Sequence, residues 1–170
     1  MEMKKTSIHL NDLEQYGRRF NLRIFGVPLK EGDDYKETIV SLCQSSLGMD
    51  DLNKNDIENA HPLPPNKPSS SSPHSRDPPM KSTMIVRFKS RSTRDEILRK
   101  RKQLKNSGIS IAEDLTSCNA RLLKRLHNDD SVSDSWTVNG KVYCKFKNAS
   151  KKCVVNPFDS LSDVFARFCK

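Results

Sequence analysis

The chain has 170 residues, of which 34% are hydrophobic, and it carries a net charge of +9. This length allows one ordinary domain or two small ones. The basic charge favours an anionic partner such as nucleic acid. No apolar run approaches the roughly 18 residues of a membrane span, which makes an anionic bilayer the weaker candidate.

Residues 1–19 have a helical pattern in which Leu10, Leu13, Gly17 and Phe20 recur at three- and four-residue spacing. We interpret this segment as a short helix that is the remnant of a coiled coil. It contains fewer than two heptads, whereas about three or four are usually needed to hold an oligomer together. The alternative is an N-terminal helix that docks on the neighbouring domain.

The next segments predict a strand over 22–28, a helix from Asp34 to a stop at Gly48, and a weaker strand over 56–63. Residues 62–80 are rich in Pro and Ser, a composition typical of a disordered loop or linker. A single strand-helix-strand unit has too little surface to fold alone. We therefore expect this loop to lie within a domain rather than between two domains.

A third strand is predicted over 84–88, a basic helix capped by Thr93 follows it, and a fourth strand covers 109–111. The order β-α-β-β-α-β over residues 20–113 is that of the ferredoxin-like fold, which RNA-recognition domains use. Between residues 81 and 105, ten Lys and Arg residues stand against two acids. This charge density is suited to binding a polyanion.

Residues 114–170 predict a small, basic, second α+β domain. A helix capped by Thr116 or Ser117 is followed by a hairpin over 136–146, which contains an Asn-Gly turn, and by a last helix after Pro157. The complete expectation is an α+β protein in which a noncanonical RNA-recognition domain precedes a small domain made of a helix, a β-hairpin and a second helix. The short N-terminal helix stands before both.

The basic residues form candidate sets for phosphate contacts. They are Arg18, Arg19 and Arg23 near the first strand; Arg87, Lys89, Arg91 and Arg94 around the third; Arg121, Lys124 and Arg125 on the helix of the second domain; and Lys141, Lys145 and Lys147 on its hairpin. Residues 31–59 carry eight acids against two lysines, so this side of the domain should face away from nucleic acid. For any single basic residue, an ordinary solvated surface remains the alternative.

RNA-recognition domains stack bases on aromatic residues of their two central strands. Here the corresponding positions hold Arg23, Thr83 and Ile85. We therefore expect this sheet to bind mainly through phosphate contacts, with little sequence preference. On the hairpin, Trp136, Tyr143 and Phe146 could stack bases, but such neighbours more often form the core of a small domain.

Nothing in the sequence predicts catalysis. It contains no phosphate-binding glycine loop, no His-Glu metal pair, and no Ser/His/Asp set in a motif context. The five cysteines lack the spacing of a zinc site, and we expect reduced thiols. The expectation is a non-enzymatic protein without a metal, cofactor or small-molecule substrate. With no apolar signal segment at the N-terminus, we expect a cytoplasmic ribonucleoprotein component that could also enter the nucleus.

An ordered series of short motifs resembles the first-open-reading-frame proteins of LINE-type (non-LTR) retrotransposons, over about residues 12–160. The motifs are 12–28, 56–63, Ile85-Val86-Arg87-Phe88 with Ser90-Arg91, Arg94-Asp95-Glu96-Ile97-Leu98, Glu113-Asp114-Leu115-Thr116 and 136–141. The chain departs from the family in having almost no coiled coil and in its Pro/Ser-rich insertion.

The resemblance implies a nucleic-acid chaperone that prefers single-stranded RNA or DNA and coats its own transcript in a ribonucleoprotein. By matching position, it implies nucleic-acid contacts at Arg18, Arg19, Arg23, Arg87, Arg91, Arg121, Lys124 and Arg125. Family members trimerise through their coiled coil, so a trimer is in doubt for this chain, although self-association by other means remains open. The alternative is a structural or protein-interaction module that resembles the few-polyhedra-type proteins of baculoviruses.

Overall fold

A computed structural model describes residues 2–30, 32–64, 81–147, 149 and 151–168. The helices are α1 (Glu2–Gly17), α2 (Tyr35–Leu47), α3 (Arg91–Lys100), α4 (Ser117–His127) and α5 (Leu161–Phe168), with short 3-10 helices at Lys54–Asp56 and Arg101–Leu104. The strands are β1 (Asn21–Pro28), β2 (Ile57–Pro62), β3 (Lys81–Phe88), β4 (Ser110–Glu113), β5 (Val132–Val138), β6 (Lys141–Phe146) and β7 (Lys152–Val155). The predicted α+β class is confirmed.

The described residues form two compact units. The first unit comprises residues 20–112, and the second combines 1–19 with 113–170. The sequence analysis treated 1–19 as a segment of its own, whereas the structure groups α1 with the C-terminal residues. No helix among the described residues is both long enough and apolar enough to cross a membrane.

The first unit is built on a four-stranded sheet in the order β2-β3-β1-β4. Strand β3 pairs antiparallel with both β1 and β2. One face of the sheet is apolar and packs against α2 and α3, with Ile39, Phe88 and Ile97 fully buried between them. Because side chains alternate along a strand, burying this face directs every second residue to the other face.

Local signals set the ends of the two helices in this unit. The Asp34 carboxylate accepts hydrogen bonds from the first backbone N–H groups of α2, and Gly48 ends that helix in a left-handed conformation with φ of 58°. Helix α3 begins earlier than expected, because the hydroxyl of Ser90 accepts the hydrogen bond from the Thr93 N–H. The prediction that Thr93 caps α3 was therefore wrong, and Thr93 lies in the first turn.

The loop predicted over 62–80 begins at the end of a strand. Pro62 is the last residue of β2, and the N–H of Leu63 still donates a 2.7 Å hydrogen bond to the carbonyl of Thr83 in β3. The remainder of that prediction, at 65–80, lies outside the described residues.

The second unit contains a three-stranded sheet in the order β5-β6-β7. Its inner face packs on α4 and α5, and Phe165 meets the ring of Phe146 edge-on at 5.2 Å between centroids. Asn139 and Gly140 form the predicted hairpin turn with φ of 54° and 77°. Two positive φ angles in succession are what a two-residue type I′ turn requires. Strand β7 was not predicted.

Helix α1 is part of this second unit and docks through polar side chains. Asn11 and Gln15 are its buried residues, whereas the apolar Leu10 and Leu13 are 61% and 56% exposed. Helix α1 therefore docks on a domain, which was the alternative to a coiled-coil remnant. Two of the apolar positions that suggested a coiled coil, Leu10 and Leu13, thus lie on the exposed side of the helix.

Candidate nucleic-acid interface

Two arginines lie on the open face of the first sheet, which is the face opposite α2 and α3. On β1, Leu22 and Ile24 are buried in the core and Arg23 is half-buried on the other face. The register places Arg23 beside Ile85 of β3, and Arg87 two residues further along that strand. Arg23 and Arg87 therefore share one face of the two central strands, and their contact with phosphate stays a prediction.

Contacts on three sides position the Arg87 guanidinium. Its Nε donates a 2.9 Å hydrogen bond to Glu58, and its Nη1 donates a 3.3 Å bond to the side-chain oxygen of Asn21. The guanidinium carbon also lies 5.5 Å from the centre of the Phe20 ring. The side chain is still 37% exposed. An oriented, partly exposed guanidinium can bind a phosphate with little further loss of conformational freedom.

The open face offers few aromatic rings for base stacking. Arg23, Thr83 and Ile85 are all half-buried on it, at the positions where the usual RNA-recognition domain carries aromatics. Phe25 is 37% exposed on the same face of β1, a position that the sequence analysis did not single out. The alternation of buried Leu22 and Ile24 would have identified it.

The basic surface continues where β3 leads into α3. Lys89 is exposed there, and so is Arg91, whose Nε lies 3.6 Å from the Asp95 carboxylate in the next turn. Arg94 does not fit its prediction as a nucleic-acid contact, because it is 3% exposed and its Nη1 lies 2.6 Å from Asp95. Arg94 lies one turn before the buried Ile97, on the face of α3 that packs inward, whereas Arg91 is the first residue of the helix and is exposed.

Most acidic residues of this unit flank α2 rather than lie on it: Asp33 and Asp34 precede the helix, and Asp50, Asp51 and Asp56 follow it. Lys54 is held there by Asp34 and Glu37, with Nζ–oxygen distances of 2.7 and 3.1 Å. The hydrogen bond from Lys54 lowers the pKa of the Asp34 carboxyl and raises the pKa of Lys54 itself. Residues 31–59 carry eight acids against two lysines, so this region is a poor candidate for binding a polyanion.

The two arginines at the end of α1 have internal partners. Arg18 makes ion pairs with Glu14 at 2.8 Å and with the buried Asp114 at 3.1 Å, and it also donates to the Leu115 carbonyl. Its guanidinium thus ties α1 to the rest of the second unit, a structural role that the sequence analysis did not foresee. Arg19 lies over the ring of Tyr16, with 3.8 Å between its guanidinium carbon and the ring centre.

The remaining basic residues divide between two surfaces of the second unit. Arg121, Lys124 and Arg125 are on the exposed side of α4, whose Leu122 and Leu126 pack against the inner face of the sheet. The exposed lysines of β6, Lys141 and Lys145, lie on the outer face of the same sheet. Because a helix layer and the far face of its sheet point in opposite directions, the fold does not bring these two sets together.

The aromatic residues of the hairpin are also divided. Phe146 is buried, whereas Trp136 and Tyr143 are half-buried on the outer face and stack with 5.9 Å between ring centroids and 11° between planes. The interpretation of all three as core was therefore wrong for two of them. Lys152 of β7 lies directly opposite Lys145 and is exposed on this face, which the sequence analysis missed because it did not predict β7.

No group of three or more His, Cys, Asp or Glu side chains that could hold a metal ion occurs among the described residues. Neither the protein-family models nor the curated proteins with which the chain was compared give a match.

Proposed function

We propose that this chain is a non-enzymatic protein that binds single-stranded nucleic acid, RNA in particular, largely through phosphate contacts and with little dependence on sequence. The observation that supports this proposal best is the placement of Arg23 and Arg87 on the open face of the first sheet, with Lys89 and Arg91 at its end. The strand order β2-β3-β1-β4 agrees with a ferredoxin-like, RNA-recognition type of domain.

Charge and chemistry explain how such a surface would work. Each phosphate that a lysine or arginine neutralises releases condensed counterions, and this release drives binding without reading the bases. The half-buried Arg23, Thr83 and Ile85 provide cationic and aliphatic contacts in place of stacked rings. A chaperone that coats a transcript within a retrotransposon-type ribonucleoprotein needs this kind of sequence-tolerant binding.

The proposal is tested by fluorescence anisotropy with single-stranded RNA, single-stranded DNA and duplex DNA of equal length, each at low and at physiological salt. We expect tighter binding to the single strands, and an affinity that falls with a log–log salt slope of about −0.7 for each phosphate contacted. Equal and weak binding to all three at low salt would contradict the proposal.

A second function, assembly with other copies of the chain or with a structural partner, is favoured by one observation. Helix α1 leaves Met3, Leu10, Leu13 and Tyr16 exposed while its polar side docks on the second unit. Met3, Leu10 and Gly17 are seven residues apart, and Leu13 falls between them at the spacing of a coiled-coil seam. Sedimentation analysis of the chain and of a Leu10→Ser/Leu13→Ser variant, without nucleic acid, distinguishes an assembling protein from a monomeric binder.

A further inference from the structure

The outer face of the second sheet brings together an aromatic pair and several lysines. Strand pairing places Trp136 of β5 opposite Tyr143 of β6, and Tyr143 opposite Val154 of β7. The three residues therefore form one row across the sheet. A second row, two residues along β6, contains Asp134, Lys145 and Lys152. On the other side of Tyr143, Lys141 pairs with Val138.

The outer face of the second sheet carries aliphatic side chains that are exposed to solvent. Val154 is 51% exposed and Val138 is 46% exposed, although both are aliphatic. The opposite face of the same strands contains the fully buried Cys144 and Phe146. The unit thus has an apolar core on one side of the sheet and a second, exposed apolar surface on the other. An exposed patch of aromatic and aliphatic groups rimmed by charge is typical of a binding site.

The charges at the rim favour one class of partner. Lys141, Lys145 and Lys152 are all exposed around the aromatic pair, and Asp134 is the acid that faces them in the second row. Along a strand, residues two apart are separated by roughly 6.5 to 7 Å. The spacing of Lys141 and Lys145 from Tyr143 is therefore similar to the distance between a base and the phosphate next to it. Aromatic rings flanked by cations are how sequence-tolerant proteins hold single strands, because every base has a face that can stack.

We propose that the outer face of the second sheet is a base-stacking site for single-stranded nucleic acid, in which Trp136 and Tyr143 contact bases and Lys141, Lys145 and Lys152 contact the adjoining phosphates. This inference rests on the proposed function and extends it, because it adds base contacts, which the open face of the first sheet largely lacks, and places them on the second unit. A stacking ring contributes enough for its loss to weaken binding about 5- to 150-fold.

The chain contains a single tryptophan, Trp136, so tryptophan emission excited at a wavelength that tyrosine does not absorb reports on this site alone. The experiment titrates the full chain with oligouridine and, separately, with an abasic oligonucleotide of the same length and phosphate number. Tryptophan emission and the anisotropy of a terminal dye on the oligonucleotide are recorded together. The variants are Trp136→Ala and, as the matched control that keeps an aromatic ring, Trp136→Phe, with thermal unfolding of each variant measured to show that it folds.

We expect oligouridine to quench Trp136, the abasic strand to bind more weakly and without quenching, and Trp136→Ala but not Trp136→Phe to lose affinity for oligouridine. If the chain binds both strands equally and Trp136 emission does not change, the stacking site is refuted while the proposed function stands. If dye anisotropy reveals no binding at low salt, the proposed function itself fails. If Trp136→Ala leaves binding intact and instead alters sedimentation, the face contacts protein and the inference is wrong. Should Trp136→Ala fail to fold, the quenching of Trp136 in the unmodified chain still decides whether bases contact this face: quenching by oligouridine alone supports the stacking site, and no quenching refutes it.

Discussion

The side chain of Gln15 in α1 is hydrogen-bonded to Asn119 at the start of α4, with 3.0 Å between the Gln15 carbonyl oxygen and the Asn119 amide nitrogen. The same Gln15 oxygen accepts the N–H of Thr116 at 2.9 Å, and the Gln15 amide group donates to the carbonyl of Asp114 at 2.9 Å. Asn11, one turn earlier in α1, accepts from the Thr116 hydroxyl at 2.7 Å. A buried network of hydrogen-bonded polar side chains thus attaches the N-terminal helix to the rest of the second unit. Removing one member of this network would leave the hydrogen-bonding groups of its partners unpaired.

Replacing Gln15 with Ala is expected to destabilise the second unit by about 1–3 kcal/mol, since it leaves the buried Thr116 N–H and Asp114 carbonyl without this partner. The measurement is urea unfolding followed by circular dichroism. Asp12→Ala changes an exposed neighbour on the same helix and should alter the free energy of unfolding by less than about 0.5 kcal/mol. Equal effects of the two substitutions would show that the network does not hold α1 in place.

Gly140 in the hairpin turn should tolerate no side chain. Its φ is +77°, and a Cβ at this position would overlap the Cγ of Gln15. Gly140→Ala therefore adds a steric clash with α1 to the cost of about 1 kcal/mol for a left-handed non-glycine residue. Gly48→Ala is the matched control, because Gly48 has φ of +58° and nothing within 4 Å of its Cβ position. In thermal unfolding we expect Gly140→Ala to lose more stability than Gly48→Ala. Introduced into the Gln15→Ala variant, Gly140→Ala should lower the stability of that variant by less than it lowers the stability of the unmodified chain.

Removing Arg23 and Arg87 together should flatten the salt dependence of RNA binding. If each contacts one phosphate of a single strand, the log–log slope becomes less negative by about 1.4 in the double alanine variant. The control is Lys36→Ala/Lys54→Ala, which loses the same charge on the α2 side, where Lys54 is ion-paired with Asp34 and Glu37. Anisotropy titrations over a series of salt concentrations measure both slopes. An identical change in the two variants would mean that only net charge matters.

The first unit should lose stability in acid partly through Asp34. Its pKa is held below the ordinary 3.8, chiefly by the hydrogen bond from Lys54 and next by the N–H of Glu37. A carboxyl whose pKa is lower folded than unfolded contributes stability above the unfolded pKa, and this stability is lost as pH falls through the folded pKa. We expect the urea midpoint of Asp34→Asn to change less than that of the unmodified chain between about pH 5 and pH 2. Lys54→Ala, which removes the largest cause, should reduce the same change.

Cys43 should be nearly unreactive while the protein is folded. Burial in α2 raises the pKa of its thiol to about 12, so very little thiolate is present at neutral pH. Cys118 is only half-buried and should be alkylated before Cys43. Brief iodoacetamide treatment at about pH 8 followed by peptide mass spectrometry gives the two rates, and unfolding in urea should make them similar. Fast labelling of Cys43 in the folded protein would show that α2 opens readily.

Local signals allowed much of the secondary structure to be predicted. The start of α2 near Asp34, its stop at Gly48 and the Asn-Gly turn are each decided by a few neighbouring residues, and each is observed. Of the two residues predicted to cap α4, Thr116 and Ser117, the structure selects Thr116. Strand β7 was missed because it has only four residues and the sequence before it carries no recognised hairpin signal, so its pairing with β6 is evident only in the fold. The cap of α3 was misplaced by three residues because Ser90 and Thr93 are both suitable capping residues.

Basic residues could be recognised from the sequence, but their surroundings could not. The charge pattern identified Arg87 and Arg94 alike, and only the packing of α3 shows that Arg94 is buried while Arg87 remains partly exposed. In the same way, the pairing of β5 with β6 decides that Trp136 and Tyr143 stack on the outer face while Phe146 enters the core.

The sequence by itself determined the α+β class, the basic character of the chain and most element positions, because these depend on composition and on interactions between near neighbours. The tertiary structure alone decided that α1 belongs to the second unit, that the basic residues divide among several surfaces, and that one sheet presents an exposed aromatic pair. These features depend on which face of each helix or sheet buries its apolar area. They also depend on hydrogen bonds between residues that are distant in the sequence, such as Gln15 and Asn119.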